Sequence, residues 1–281
     1  MVCAARISGR ECQRNRHQAP AWILANQMNA PPLVSIITPV HNGAEYLDEL
    51  IQSVLRQDYP NIEHLIIDDG SQDGGATIAI LKKHHHLRWR SRENKGQYET
   101  MNEGLLTAQG EVVCFVSADD MISPGAITSA MEFLECHPSY DGVFGITNYI
   151  DPEGKVRPYL VPFRKAQLSF YPFFAHISHC SLYVRLSSLK KHKLFFDQSL
   201  RYVGDYDWMI RIYKSHLRIG RIDRELSRVR IHDDQASQKY QDASRAETRK
   251  VVRAHRINRV LRFLLLLVYK MQIWMWKIFV Q

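Results

Sequence analysis

The sequence predicts an α/β fold: a mostly parallel central sheet flanked by helices, with a helical tail at the C-terminus. Three observations predict it. Residues 34–73 hold a complete β-α-β unit. Two apolar runs, 62–67 and 111–116, each give way abruptly to a turn carrying paired aspartates. Beyond residue 244 the pattern changes to arginines at helical spacing followed by a long apolar run.

The elements follow in order. Residues 34–38 form an apolar strand stopped by Pro39 and Asn42-Gly43. Residues 45–57 carry Tyr46, Leu47, Leu50, Ile51, Val54 and Leu55, the stripe of a helix lying on a sheet. The strand at 62–67 ends in Asp68-Asp69-Gly70-Ser71. Ligands of open α/β sheets sit at the carboxyl ends of the strands. Two adjacent carboxylates bind phosphate poorly, so this turn suits a base or ribose. No G-x-G-x-x-G follows Thr38 and no Walker lysine is present, which disfavours a dinucleotide or P-loop site. The KKHHH run at 82–86 lacks partner carboxylates and reads as a solvated helix end. A short strand at 87–90, a turn at 94–96, a helix at 98–108 and a buried strand at 111–116 come next. Residues 124–136 form a helix, 140–149 a strand and 151–154 a hairpin turn. Residues 159–174 are rich in aromatics and proline, as expected of a lid on the acceptor side. Residues 176–184 lead into another strand.

The 281 residues allow one large domain with an appendage, and 45% hydrophobic content suffices for a packed core. The five cysteines are scattered without a C-x-x-C, suggesting neither a disulfide framework nor a zinc site. A reducing cytosol fits this usage. The net charge of +8 is uneven. Residues 245–281 hold nine Lys/Arg against one Glu, or +8, and residues 1–31 hold four Arg against one Glu, or +3. The body, 32–244, is therefore −3, which argues against a nucleic-acid groove. Residues 1–31 read as a disordered or extraneous lead. They carry no signal-peptide pattern, and Met28 stands six residues before the first strand, suggesting a natural start there.

Five segments resemble glycosyltransferase family 2, the inverting enzymes of the GT-A fold. They are TPVHN (38–42), IIDDGSQD (66–73), ENKGQYETMNEGL (93–105), VSADD (116–120) and GDYDWMIRI (204–212), in the family's order across 32–237. The resemblance implies a GT-A domain at 32–240 and transfer of a sugar from a nucleotide-sugar donor, UDP first, to a hydroxyl acceptor. It places nucleotide binding on Thr38, Pro39, Val40, His41, Asp68, Asp69, Asn94, Gly96 and Asp119. His41 stands where many relatives have tyrosine. Asn102 and Gly104 match the helix that backs the nucleotide site. Asp119-Asp120 resembles the acidic metal motif, with Ser117 at its usual first position. It implies Mg²⁺ or Mn²⁺ on Asp120 and Asp119, with His232 completing the shell or meeting the diphosphate. The bland alternative is a cap on the following turn and helix, shared with Ser123. His179 matches a histidine on the acceptor or diphosphate side, with a satisfied core histidine as the alternative.

The general base falls on Asp205 or Asp207. Trp208, Met209, Ile212 and Tyr213 form an apolar helical stripe, and Asp205 lies on its side in the first turn. Asp207 points elsewhere and has Arg211 as an i+4 partner. Within the resemblance, the second carboxylate of the family's Glu-Asp pair is Asp205 and the first is replaced by Gly204. These readings assign Asp205 as base and Asp207 to structure.

The tail, 241–281, reads as a basic and apolar amphipathic helical segment. Arg245, Arg249, Arg253, Arg256 and Arg259 mark a helix over 248–260. Residues 261–280 approach spanning length, but Lys270, Gln272 and Lys277 interrupt them. The expectation is a peripheral contact through 245–281 with the inner face of the plasma membrane, beside a lipid-linked or cell-envelope glycan acceptor. The alternative is a helix packed on its own domain or across a homodimer. Two other functions share the fold. A sugar-phosphate nucleotidyltransferase would want a basic, glycine-rich loop after the first strand, and 39–44 has no Lys or Arg. A non-catalytic, membrane-docked scaffold would not need Asp119, Asp120 and Asp205 intact.

Overall fold

The computed structural model describes residues 30–157, 171–174, 177–235, 239–258, 260, 262, 263 and 267. The first half of the chain runs β1 (Val34–Val40), α1 (Leu47–Leu55), β2 (Ile62–Asp69), α2 (Ala76–Lys83), β3 (Arg88–Arg92), α3 (Gln97–Thr107) and β4 (Val112–Phe115). Then come β5 (Met121–Ile122), α4 (Ala126–Cys136), β6 (Gly142–Ile150), β7 (Val156–Arg157) and the short α5 (Tyr171–Phe174). A 3₁₀ turn at His179–Ser181 leads into β8 (Leu182–Arg185), α6 (Leu186–Lys191), α7 (Gly204–Lys214), β9 (Ile219–Arg230) and α8 (Gln241–Ala254).

The strands form one sheet in the order β3-β2-β1-β4-β8-β6-β9-β5, with β7 paired to β6. The strands β3, β2, β1 and β4 are mutually parallel. Beyond β4 the sheet is mixed: β8 is antiparallel to β4 and β6, β9 runs parallel to β6, and β5 is antiparallel to β9. All seven residues of β1 are buried, because β1 is covered on both faces and paired at both edges. Its side chains alternate between two cores. Ile37 joins Val113 and Phe115 against α3 and α7, while Val34 and Ile36 join Val112 and Cys114 against α1 and α4.

Two features set the height of the helices over the sheet. A Cβ on Gly104 would stand 2.3 Å from the Ile37 methyl, so α3 lies tighter on β1 than a side chain allows. Asn102 exchanges two hydrogen bonds with the Phe196 backbone, at 2.7 and 2.9 Å, and so ties α3 to the segment before α7. Phe196 then stacks on Trp208, ring centroids 4.6 Å apart, and the indole N–H donates to the Leu194 carbonyl at 2.8 Å. This pairing fixes the start of α7.

Helix α8 begins before the expected arginine helix and ends sooner. Arg256, at φ 54°, takes the left-handed conformation just past its end. Its arginines at 245, 249 and 253 are exposed, as their spacing predicts, while Val251 and Val252 join the same core as Trp208. Glu247 accepts from the backbone N–H groups of Arg201 and Tyr202. Through Ala254 the tail therefore packs on the sheet domain. The expected lid at 159–174 lies outside the described residues except for α5, as do the lead at 1–29 and most of 259–281. No helix among the described residues is long and apolar enough to cross a membrane.

Candidate active site

The carboxyl ends of β1, β2 and β4 open on one side of the sheet, where the β3–α3 loop joins them. His41 follows β1, and its Nδ1 lies 2.9 Å from the Asp69 carbonyl oxygen and 3.3 Å from the Asn94 amide. Asn42 donates from its backbone to Ser71 and accepts from Gln72 N–H, stitching the two strand ends together. His41 and Asn94 are exposed and form the free surface of this wall.

The paired aspartates beside it face inward. Asp68 is 1% exposed and accepts from the hydroxyls of Ser71 and Ser91. Asp69 is 4% exposed, accepts from the N–H groups of Lys95 and Gly96 at 2.8 and 2.9 Å, and pairs with Arg92. Each of the four carboxylate oxygens already has a donor, so these residues organise the loop that carries Asn94. Thr38 is also enclosed, against the buried His64 at 3.1 Å, and Pro39 and Val40 are buried in β1. Of the expected nucleotide residues, His41 and Asn94 present their side chains outward here. Thr38, Val40, Asp68 and Asp69 shape the wall from behind.

The acidic turn after β4 splits its two carboxylates. Asp119 points to the open side, a quarter exposed, with His232 Nε2 3.1 Å from its carboxylate. This partner holds the His232 imidazole above the usual histidine range, against the opposing effect of burial. Asp120 turns inward and is 4% exposed. It accepts from the Arg230 backbone N–H at 3.0 Å and from the Cys180 thiol at 3.1 Å. Burial, with Cys180 and Asp119 close by, pushes its carboxyl well above the usual range. Asp120, expected as a direct metal ligand, is thus turned away from the open side, because the last residue of β9 and Cys180 occupy one of its oxygens each. Neither aspartate caps the following helix, and the Ser123 hydroxyl instead donates to Glu225.

The second half of the sheet supplies the other wall. Asp205 sits in the first turn of α7, two-fifths exposed, with His179 Nδ1 3.6 Å and the Tyr98 hydroxyl 3.5 Å from its carboxylate. Burial favours the neutral acid, but the His179 imidazolium and the N–H groups of the helix start outweigh it and hold Asp205 below the usual carboxylate range. Burial likewise opposes charge on His179, yet Cys180 and Asp205 beside it hold its imidazole well above the usual range. His179 Nε2 also lies 3.5 Å from the Ser117 hydroxyl, two residues before Asp119. That contact joins the acidic turn to the Asp205 pair. Asp207 is 7% exposed and bonded to Arg211 and His255, each at 2.7 Å.

The sequence model of glycosyl transferase family 2 matches residues 35–193. The chain belongs to glycosyl transferase family 2. An uncharacterized glycosyltransferase of Rickettsia felis is 33% identical over 220 residues, 74% of this chain and 36% of its own length. The chain thus spans about a third of that relative. A Bacillus subtilis glycosyltransferase, provisionally assigned to teichuronic acid biosynthesis, is 35% identical over 122 residues, 41% of this chain and 48% of its own. Among solved structures, S. aureus TarS in complex with UDP-GlcNAc aligns with a TM-score of 0.61 at 24% identity, covering 72% of this chain and 60% of that one. A mannosyltransferase of Pyrobaculum calidifontis, in complex with GDP-Man and Mn²⁺, aligns at 0.59 and 19% identity, covering 89% and 72%. The fold is GT-A.

In this family 2 chain Asp119 and His232 are the candidate donors for a divalent cation. No group of three His, Cys, Asp or Glu converges among the described residues. Asp119 and His232 nevertheless stand together on the open side, and two protein donors suit a hard cation that takes its remaining ligands from diphosphate and water. Sequence reasoning missed Tyr98, whose hydroxyl meets Asp205, and Arg230, whose backbone N–H holds Asp120. Arg230 left little trace: it stands between Val229 and Ile231, but among the other charged residues of β9.

Proposed function

We propose that this protein is an inverting glycosyltransferase that moves a sugar from a nucleoside-diphosphate donor, UDP first, to a hydroxyl of a lipid-linked or cell-envelope glycan. The observation that carries this reading is the Ser117–His179 contact at 3.5 Å, which links the turn bearing the Asp119–His232 pair to the Asp205–His179 pair. The UDP-GlcNAc bound to TarS and the GDP-Man and Mn²⁺ bound to the Pyrobaculum enzyme support a nucleotide-sugar donor on this fold. The teichuronic acid assignment of the Bacillus relative supports an envelope acceptor.

The chemistry is a single displacement. Asp205, held ionised by His179 and the helix start, accepts the proton of the acceptor hydroxyl as its oxygen attacks the anomeric carbon. The bond from that carbon to the diphosphate breaks, and the diphosphate leaves with the electron pair on the opposite face, inverting the configuration. Asp119 and His232 would hold Mg²⁺ or Mn²⁺, which when bound neutralises charge building on the leaving diphosphate. His41 and Asn94, on the wall organised by Asp68 and Asp69, meet the nucleoside.

The protein works at the cytoplasmic face of the membrane in this reading. Val260, Phe263 and Leu267 are 70%, 61% and 47% exposed, and their spacing of three and four places them on one helical face. The exposed arginines of α8 precede them and attract anionic lipid. The test is turnover of a nucleotide-sugar panel by purified protein. Metal-dependent release of UDP, lost in Asp205→Asn, supports the reading. Absence of both turnover and nucleotide binding refutes it in favour of a scaffold.

A further inference from the structure

Arg230 is the most enclosed charged residue of the described chain, with 0% exposure. It is the last residue of β9, and its guanidinium collects three segments distant in sequence. Nε donates to the Asp119 carbonyl at 3.0 Å. Nη1 donates to the carbonyls of Asp151 and Pro152 in the β6–β7 turn. Nη2 pairs with Glu49 of α1 at 2.6 Å. Its backbone N–H holds Asp120. The guanidinium also lies 4.3 Å from the centre of the Tyr46 ring, whose other neighbour is the His232 ring at 5.1 Å.

Burying a guanidinium among carbonyl oxygens, with one half-exposed counter-ion, is a poor way to gain stability, since apolar replacements of buried ion pairs are commonly as stable. What the fork of donors supplies is geometry. We infer that Arg230 is a positioning residue for the metal and diphosphate side of the site. Its guanidinium sets the Asp119 backbone from within and through Tyr46 fixes the ring plane of His232, while its backbone N–H holds Asp120 inward. The Asp119–His232 pair is therefore held from both ends by one side chain. This inference rests on the proposed cation reading.

The experiment is Mn²⁺ titration followed by electron paramagnetic resonance, on full-length protein with saturating UDP, beside calorimetric UDP binding without metal and thermal melts. Arg230→Lys keeps the charge but cannot fork, and should weaken Mn²⁺ binding by about 10- to 100-fold while metal-free UDP binding stays within about twofold. Glu49→Gln, on the surface of α1, removes only the outer counter-ion and should weaken Mn²⁺ several-fold without loss of fold. If Arg230→Lys fails to fold, this second variant decides. A folded variant that melts lower yet binds Mn²⁺ as the wild type does would overturn the inference and reduce Arg230 to a packing role. Equal loss of metal-free UDP binding would also overturn it. Wild-type protein that binds UDP but no Mn²⁺ would instead overturn the cation reading, and the inference with it.

Discussion

The Tyr98 ring occupies the space over Gly204: a Cβ added at Gly204 would stand 2.6–2.7 Å from three ring atoms. The same tyrosine places its hydroxyl 3.5 Å from Asp205. The resemblance to family 2 puts a glutamate at position 204, and here α3 fills that volume with an aromatic ring. Restoring the acid should therefore cost stability. Gly204→Glu is expected to destabilise by about 1–3 kcal/mol, the range for overpacking a tight site. In a Tyr98→Ala background the same change should cost less, and urea denaturation of the four proteins measures the coupling. Additive effects would show that the ring does not exclude the side chain.

The two aspartates of α7 should separate cleanly in experiment. Asp205→Asn is expected to lower kcat by about 10²- to 10⁴-fold, the range for loss of a general base, with donor affinity retained. Asp207→Asn should spare donor affinity and lower stability by about 1–3 kcal/mol, because it weakens buried bonds to Arg211 and His255. Single-turnover kinetics and thermal melts of both variants check this, and a reversed pattern would exchange the two roles.

His179→Gln should move the acid limb of the kcat profile to higher pH. In the wild type His179 opposes the upward effect of burial on Asp205, so its removal lets the Asp205 carboxyl rise. The stability linkage has the opposite dependence for each partner. The contribution of His179, whose value is raised on folding, is complete below about pH 6.5 and fades as pH rises through the raised value. That of Asp205, lowered on folding, is present above about pH 4 and fades as pH falls through the lowered value. Melts of wild type and variant across pH 4–8 should converge toward the alkaline end. An unmoved acid limb would detach His179 from the base.

Within the acidic turn, Asp119→Asn is expected to weaken Mn²⁺ binding by about 10-fold or more without a large change in melting temperature, since its carboxylate is partly exposed and pairs with His232 among the described residues. Asp120→Ala should lower stability by about 1–3 kcal/mol, because it strips acceptors from the buried Arg230 N–H and Cys180 thiol. Excess chelator should abolish turnover in the wild type.

What the sequence disclosed depended on where the information lay. The parallel half was readable because β1 and β4 are largely apolar, β2 runs through Leu65–Ile67 into its paired aspartates, and α1 carries a full stripe. The mixed half was not: β9 is a 12-residue strand of alternating charge, with register shifts opposite β6, and β5 is only two residues long. The site divides the same way. Aspartates and histidines at strand ends announced themselves by type and position. Their directions did not, since whether Asp119 or Asp120 faces outward depends on Arg230 and Cys180, which are 110 and 60 residues from Asp120. Arg230 itself is bound largely by carbonyl oxygens, and backbone acceptors have no sequence signature.

The tail should divide at residue 258. Through Ala254 it is core: Val251 and Val252 are 3% and 4% exposed, Glu247 holds the 201–202 backbone, and Lys214 donates to the His255 carbonyl at 2.9 Å. Removing 240–281 should therefore expose the flank of α7 and cost several kcal/mol, as the burial of two valines alone contributes about 3–6 kcal/mol. Removing only 259–281 should leave melting and UDP binding close to wild type and abolish sedimentation with vesicles containing phosphatidylserine. Salt should weaken the full-length interaction only in part, because arginine attraction is screened while the burial of Val260, Phe263 and Leu267 is not. A shorter truncation that unfolds the domain would place 259–281 in the core, and one that still sediments with vesicles would move the membrane contact to another surface.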